Sequence, residues 1–308
     1  MRSDRKKKMK KRKSLKIFGL LFLILLIGGG AYLASVYQSV VGAIDTMKGT
    51  EHKTDKRVED ITFKRQDPFS LLILGVDERK NDSGRSDTMI VMTVNPKKES
   101  IQLLSLPRDT RTEIIGRGTT EKMNHAYAYG GVTMSIDTVE TYLDTPIDYY
   151  VKMNMEGFQD IVNAVGGITV DNDMDLVYKN YSFAKGTIEL DGEEALIYSR
   201  IRKEDPRGDY GRQLRQRQVI QAVIKKGSSL STLTNYDDIL EAIGKNVETN
   251  LTFNEIVSIQ KNYKSSLNHV EQYTLTGENQ RIEGLWYNIV SDETKLEAQK
   301  RLKTHLGI

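Results

Sequence analysis

The chain of 308 residues contains no cysteine, which excludes disulfides, thiolate nucleophiles and cysteine-ligated zinc together. Imidazole is nearly as scarce: His52, His125, His269 and His305 are the whole supply, and no two are spaced as a metal-binding pair. Metal chemistry here is therefore carboxylate chemistry with a hard cation such as Mg²⁺, Mn²⁺ or Ca²⁺. No Gly-x-Ser-x-Gly elbow, Walker A loop or Gly-x-Gly-x-x-Gly fingerprint occurs, so serine hydrolase, nucleotide kinase and dehydrogenase readings lose their support. The body of the chain also lacks net positive charge. Residues 1–16 hold ten Lys or Arg against Asp4, a net +9, which leaves −6 on the remainder of a chain whose formal charge is +3. Basicity thus belongs to the tail, and nothing global suggests nucleic acid.

What is present begins with Ile17 to Val36, twenty residues without a charge, long enough to span a hydrocarbon core of about 30 Å as a helix. The cationic tail before it places the N-terminus in the cytoplasm and everything after Tyr37 outside. A cleavable signal peptide, with Gly29 and Ala31 as small residues, is the alternative; the continuation to spanning length favours an uncleaved anchor. The expected organisation is a cytoplasmic tail (1–16), a membrane span (17–37), an extracellular stalk or linker (38–66) and one α/β domain (67–308). A cysteine-free envelope protein also hints at a Gram-positive cell.

Within the domain, Phe69 to Val76, Thr88 to Val94 and Ile101 to Leu106 are short apolar runs bounded by turn residues and read as strands, as do Tyr149 to Met153, Ile168 to Val170 and Gln272 to Leu275. Helical spacing covers 132–143, 156–165, 191–201, 213–226, 236–247, 253–267 and 292–306. Strands and helices interleave without repeats, the pattern of an α/β sheet flanked by helices.

Charge gathers at the predicted strand ends, where open α/β sheets place ligands. The loop after the first strand offers Asp77, Arg79, Asp82, Arg85 and Asp87, and a carboxylate pair there can hold a hard cation whose other ligands are water and phosphate. Asp77 and Asp82 lack the glycine and terminal glutamate spacing of an EF-hand. Arg108 and Asp109 follow the third strand; Lys122, Asn124 and His125 are donors able to reach a phosphate or sugar, although His125, with no second histidine nearby, reads as structural before catalytic. Tyr127, Tyr129, Tyr149 and Tyr150 read as core or rim aromatics. Densest of all is Tyr198 to Gln218, with Arg200, Arg202, Arg207, Arg212, Arg215 and Arg217 beside Glu204, Asp205 and Asp209. Arginine's planar fork matches phosphate oxygens, so the stretch reads either as a polyanion site or as a self-paired solvated face.

Taken in order, the cationic tail with one span, LLILGVDERKNDSGRSDTMIV, LLSLPRDT, KMNHAYAYGG, VGGITVDN and IRKEDPRGDYGRQLRQRQVI resemble the LytR-CpsA-Psr family of Gram-positive envelope proteins, and within it the wall teichoic acid ligases. The resemblance covers about residues 70 to 225. It implies a mixed central sheet flanked by helices, an apolar cavity for a polyprenyl chain and an arginine-lined mouth for its diphosphate. The implied activity, with Mg²⁺ (or Mn²⁺), is transfer of an anionic glycopolymer from undecaprenyl diphosphate to the C6 hydroxyl of N-acetylmuramic acid in peptidoglycan. Carried over residue by residue, Asp77 and Asp87 match metal carboxylates. Arg85, Arg108, Arg200, Arg202, Arg212 and Gln216 match diphosphate-binding positions. Asp209 matches an acidic residue linked to acceptor activation, with Asp109 the second candidate base. Lys203, Glu204, Arg215 and Arg217 are left as the solvated face of the stretch.

Competing readings are a polyprenyl-diphosphate hydrolase, a non-catalytic lipid-binding regulator or scaffold, and a transcriptional regulator. The last is opposed by a basic tail that abuts a membrane span and by an acidic body outside the membrane, away from DNA.

Overall fold

Phe69–Val76 is apolar or small along its whole length, and such a strand persists only when both its faces are covered. The computed structural model, which describes residues 42, 47–78, 84–229, 244 and 246–308, places it at the centre. This strand, β1 (Phe69–Val76), pairs antiparallel with β2 (Ser86–Asn95), which pairs antiparallel with β3 (Ser100–Ser105). Later strands join in parallel, β6 (Tyr149–Met153) beside β1 and β12 (His269–Thr274) beside β3, and β11 (Val247–Thr249) closes the β6 side antiparallel. The result is a six-stranded mixed sheet in the order β11-β6-β1-β2-β3-β12.

Alternation along β1 assigns its two covers. Leu72, Leu74 and Val76 pack under α1 (His125–Leu143) and α6 (Asp292–Leu306). Leu71 and Ile73 face α4 (Asp209–Ser229) and α5 (Phe253–Asn262). A third core joins α2 (Met155–Ala164), α3 (Gly192–Arg200), β7 (Ile168–Asn172) and β10 (Gly186–Leu190) to α4 through Val219. Three further ribbons complete the described chain: β4 (Arg111–Ile114) with β5 (Thr119–Lys122), β8 (Leu176–Tyr178) with β9 (Tyr181–Phe183), and β13 (Glu278–Ile282) with β14 (Leu285–Ile289).

The six expected strands are all present, and the ribbons are what periodicity did not anticipate. Their strands are short and largely exposed, so alternation has little to act on. The helix expected from residue 132 starts at His125, because the Gly130-Gly131 break is a kink inside it rather than its beginning. The helix expected over 253–267 ends at Asn262 and passes into a 3₁₀ turn, Lys264–Asn268. Most of the helix expected over 236–247 lies outside the described residues, and Val247 belongs to β11. The tail and membrane span also lie outside them; among the described residues no helix is long and apolar enough to cross a membrane.

Residues 47–66 correct one expectation. Their sequence reads as stalk, yet they pack on the domain. Gly49 N–H donates to the Thr249 carbonyl at 3.0 Å, beside a bridge from Lys48 to Thr249. Phe63 is buried edge-on against Phe69, ring centres 5.4 Å apart. Arg57 forks onto Asp148, whose carboxylate also accepts from the Ser70 N–H of β1 at 2.7 Å. Mixed charge hid these contacts because only Met47 and Phe63 are buried apolar anchors in this stretch.

On the opposite side of the sheet, the His305 imidazole is buried between Thr93 Oγ1 at 2.8 Å and Ser100 Oγ at 2.9 Å. Burial, aided by Lys98, pushes it down to about 4 from an ordinary 6.5. The unfolded chain takes up this proton at higher pH than the folded one, so stability is lost as pH falls from 6.5 toward 4. His305→Gln should flatten the pH dependence of the urea midpoint across that window; an unaltered slope would refute the assignment.

Candidate functional site

Because β2 is antiparallel to both β1 and β3, and β6 is parallel to β1, the C-terminal ends of β1, β3 and β6 share one edge of the sheet. Asp77 follows β1, Arg108 and Asp109 follow β3, and Asn154 follows β6, while Asp87 enters β2 from the same edge. The N-terminus of α4 arrives here too. Asp209, Arg212 and Gln216 fall at spacings of three and four along it and so share one face.

Between the sheet and α4 lies a cavity of about 230 Å³. Asp77, Asp87, Asn154, Arg200, Arg212 and Gln216 supply its polar lining, and Ile73, Phe158, Leu196 and Ile220 its apolar walls. A second cavity of about 370 Å³ is almost wholly apolar, lined by Leu71, Met92, Ile224, Leu251 and Ile259 among others. Leu71 is two residues from Ile73 on β1, and Ile224 one helical turn from Ile220. The two cavities therefore lie beside successive positions of β1 and α4, the first charged at the strand-end side and the second mainly apolar.

The charged end is a chain of ion pairs. Arg108 Nη1 donates to Asp87 Oδ1 at 2.7 Å, and its Nε lies 3.7 Å from Asp109 Oδ2. Lys122 Nζ donates to Asp109 Oδ1 at 2.7 Å. Asp209 Oδ1 lies 2.8 Å from Arg212 Nη2 and 3.6 Å from Arg202 Nε, while Gln213 Nε2 donates to Asp209 Oδ2 at 2.8 Å. Angles at Asp209 Oδ1 are too poor for a hydrogen bond, and Arg212 Nε also finds no acceptor: two buried polar atoms stand unmatched at the centre of the cluster. Burial lowers the Arg212 pKa against the pull of Asp209, whereas at Arg108 burial is the largest single influence but Asp87, Asp109 and Asp209 together outweigh it and raise the pKa. Arg200 is exposed, with Nη1 3.1 Å from Met155 Sδ and no carboxylate partner among the described residues.

The structure thus brings Asp77, Asp87, Arg200, Arg212 and Gln216 into one cavity and links Arg108, Asp109, Arg202 and Asp209 to it through ion pairs. Arg85 stands apart. It is exposed, does not line the cavity and lies near enough to Tyr129 to influence its hydroxyl. His125 is engaged structurally, its Nδ1 2.8 Å from Glu121. Tyr127 and Tyr150 are core residues, and Tyr129 sits at the rim. Asn154, Ser199 and Phe158 line the cavity without having been singled out. Asn154 carries a helix-cap signal for α2, accepting from Gly157 N–H at 2.8 Å, but nothing in sequence tied that cap to a site.

Two arginines assigned to a solvated face are in fact buried. Arg215 is 1% exposed and Arg217 5%, whereas Lys203 and Glu204 are exposed as expected. Arg215 donates to the carbonyls of Tyr198 and Ile201 and to Asp205, filling the C-terminal end of α3 where carbonyls lack intrahelical partners. Burial raises the Asp205 pKa, but Arg207 and Arg215 outweigh it and hold the carboxyl at about 2. Gly211 is required beside this network, since a Cβ there would fall 2.0 Å from Asp205 Oδ2. Arg217 bonds Ser105 Oγ at 2.6 Å and Thr274 Oγ1 at 2.8 Å, and burial pushes it down to about 10.

As a metal site, Asp77 and Asp87 fit a hard cation that takes most of its oxygens from water and phosphate. Among the described residues no group of three or more His, Asp or Glu is placed to enclose a metal.

The model of the LytR_cpsA_psr family matches residues 34–304, and the chain belongs to that family. It is 49% identical over 303 residues to the polyisoprenyl-teichoic acid–peptidoglycan teichoic acid transferase TagU of Bacillus cereus, covering 97% of this chain and 99% of the relative. The enzyme of the same name from Bacillus subtilis is 46% identical over 306 residues, 99% of each chain. Among solved structures, B. subtilis TagU superposes with a TM-score of 0.66 at 48% identity over 78% of this chain and 97% of its own. TagT bound to LI-WTA superposes with a TM-score of 0.71 at 33% identity over 85% and 99%.

Replacing Arg215 with Met leaves Asp205 buried with only Arg207 to offset it. The expected loss of stability is about 3 kcal/mol, measured by urea unfolding. Arg202→Ala, at a half-exposed guanidinium, should stay within about 0.5 kcal/mol. Equal effects of the two substitutions would contradict the division of the stretch into scaffold and mouth.

Proposed function

We propose that the chain is a membrane-anchored phosphotransferase, its N-terminus cytoplasmic and its domain extracellular. It moves an anionic glycopolymer, wall teichoic acid, from undecaprenyl diphosphate to the C6 hydroxyl of N-acetylmuramic acid in peptidoglycan. The observation that carries this reading is an arginine and carboxylate cavity with a mainly apolar cavity beside the next positions of β1 and α4. A polyprenyl diphosphate has that polarity, with a charged head and a long hydrocarbon tail. The names of the relatives agree with it.

In the proposed reaction the acceptor C6 oxygen attacks the phosphorus joined to the glycan. The bond from that phosphorus to the bridging oxygen breaks, undecaprenyl phosphate leaves, and a phosphodiester joins polymer to wall. Such a transfer needs little covalent help and much charge neutralisation. Arg200, Arg202 and Arg212 from the helix side, with Arg108 from the sheet side, bind and orient the diphosphate, and Gln216 adds a neutral donor. Asp77 and Asp87 would hold Mg²⁺, which when bound supplies further neutralisation of phosphate oxygens. Asp209 takes the hydroxyl proton in preference to Asp109. Asp209 Oδ1 accepts no hydrogen bond, although it is ion-paired with Arg212 at 2.8 Å, while Asp109 Oδ1 accepts from Lys122. The membrane span keeps the enzyme in the leaflet that holds the lipid-linked donor.

The full chain in detergent, given a lipid-diphosphate glycan, Mg²⁺ and nascent peptidoglycan, should form this phosphodiester. Asp87→Ala and Arg202→Ala should each lower the rate about 100-fold or more, and chelation of divalent cations should do the same. Wild-type rates in both variants would overturn the reading. Release of free glycan phosphate without acceptor would mark a hydrolase, and bound lipid without turnover a binding protein.

A further inference from the structure

We infer that the β13–β14 hairpin is the platform on which the sugar acceptor docks, its ligand a chain of β-linked N-acetylated amino sugars. The assignment of this ligand as acceptor rests on the proposed transfer; the site itself rests on the hairpin.

A tight turn at Glu283 and Gly284, with φ of 47° and 84°, fixes the register. Trp286 lies opposite Arg281, and Asn288 opposite Asn279. Residues directly opposite in an antiparallel pair project from the same face, so one face presents an indole, a guanidinium and the Asn279 carboxamide, while Asn288, 4% exposed and donating from its side-chain amide to the Gly277 carbonyl at 3.1 Å, belongs to the buried base. The other face is anchored through Tyr287, 8% exposed and 5.9 Å from both Arg111 and Lys122. Trp286 is 60% exposed.

The base of the hairpin is bonded to both sides of the ion-pair cluster. Asn288 N–H donates to the Asp109 carbonyl at 2.8 Å, and Tyr210, the neighbour of Asp209, donates from its hydroxyl to the Gly277 carbonyl at 3.2 Å. Trp286 is two residues from Asn288, about 7 Å along an extended strand, roughly the length of one sugar and its linkage. No hairpin residue lines the charged cavity, so the platform stands beside the donor's groove without occupying it.

Chemistry selects the occupant. The flat C–H face of a pyranose stacks on an indole, and hydroxyl and acetamido groups pair with a carboxamide and a guanidinium. Trp286, Leu285 and Arg281 would also suit a bilayer interface; the bonds that hold the hairpin to Asp109 and Tyr210, beside the ion-pair cluster, favour the sugar.

Trp286 is the only tryptophan in the chain, so tryptophan emission, excited where tyrosine does not absorb, reports on this site alone. Titrating the full chain in detergent micelles with a peptidoglycan tetrasaccharide, without lipid donor, should shift the emission to the blue saturably. In the transfer assay, Trp286→Ala should raise the KM for acceptor about tenfold and leave that for donor unchanged, and Trp286→Phe should recover most of the loss. Unchanged emission and unchanged acceptor KM would overturn the inference, as would a blue shift with micelles containing anionic phospholipid but none with sugar. If the tetrasaccharide binds and no transfer occurs in the wild type, the hairpin assignment stands and the proposed reaction fails. If transfer proceeds indifferent to Trp286, the reverse holds.

Discussion

One guanidinium holds the site together. Arg215 is buried on α4, yet its donors reach the last carbonyls of α3 and the carboxylate of Asp205 in the connecting loop. It therefore binds two helices and the chain between them in one hydrogen-bonded unit, at a position where a charge without partners would be prohibitive. Arg200 and Arg202 leave this unit at the end of α3, while Asp209 and Arg212 leave it at the start of α4. Their relative placement follows from a residue that itself never reaches the cavity.

This division of labour among like side chains explains the density of arginine. Arg207, Arg215 and Arg217 are committed to protein partners, respectively Asp205 with Asp173, the end of α3, and the hydroxyls of Ser105 and Thr274. Arg200 and Arg202 keep much of their surface in solvent and so retain donors for a ligand. Arg108 and Arg212 are intermediate, held by Asp87 and Asp209, which fixes their direction at the cost of partial neutralisation. An anion entering such a cluster would exchange carboxylate partners for its own oxygens at half-buried and buried guanidiniums, where charge-assisted bonds are stronger than in open water.

Sequence carried the central sheet well, because β1 to β3 are continuous apolar runs and their ends are marked by Pro, Asp and Arg. It carried much of the site for the same reason: strand order brings those ends to one edge, and spacing on α4 brings Asp209, Arg212 and Gln216 to one face. Composition failed where burial was decided by partners far along the chain. Arg215 and Arg217 look like surface charges until Tyr198, Ile201, Asp205, Ser105 and Thr274 are seen to surround them. Arg85 shows that adjacency to a strand end does not by itself place a residue in the cavity lining: it is exposed and stands apart. The hairpin around Trp286 escaped because its strands alternate weakly, its stability coming from Tyr287 and from backbone bonds to Asp109.

The contact of Lys48 and Gly49 with Thr249 bears on how the domain behaves in a crowded envelope. β11 is the outer strand of the sheet, and an outer strand presents unpaired backbone groups that invite pairing with another molecule. The segment that leads into the domain lies against that strand and occupies some of those groups. It is thus also a shield. Any truncation that begins after residue 60 strips it away, and material prepared in that form inherits a stickier margin than a chain that keeps it.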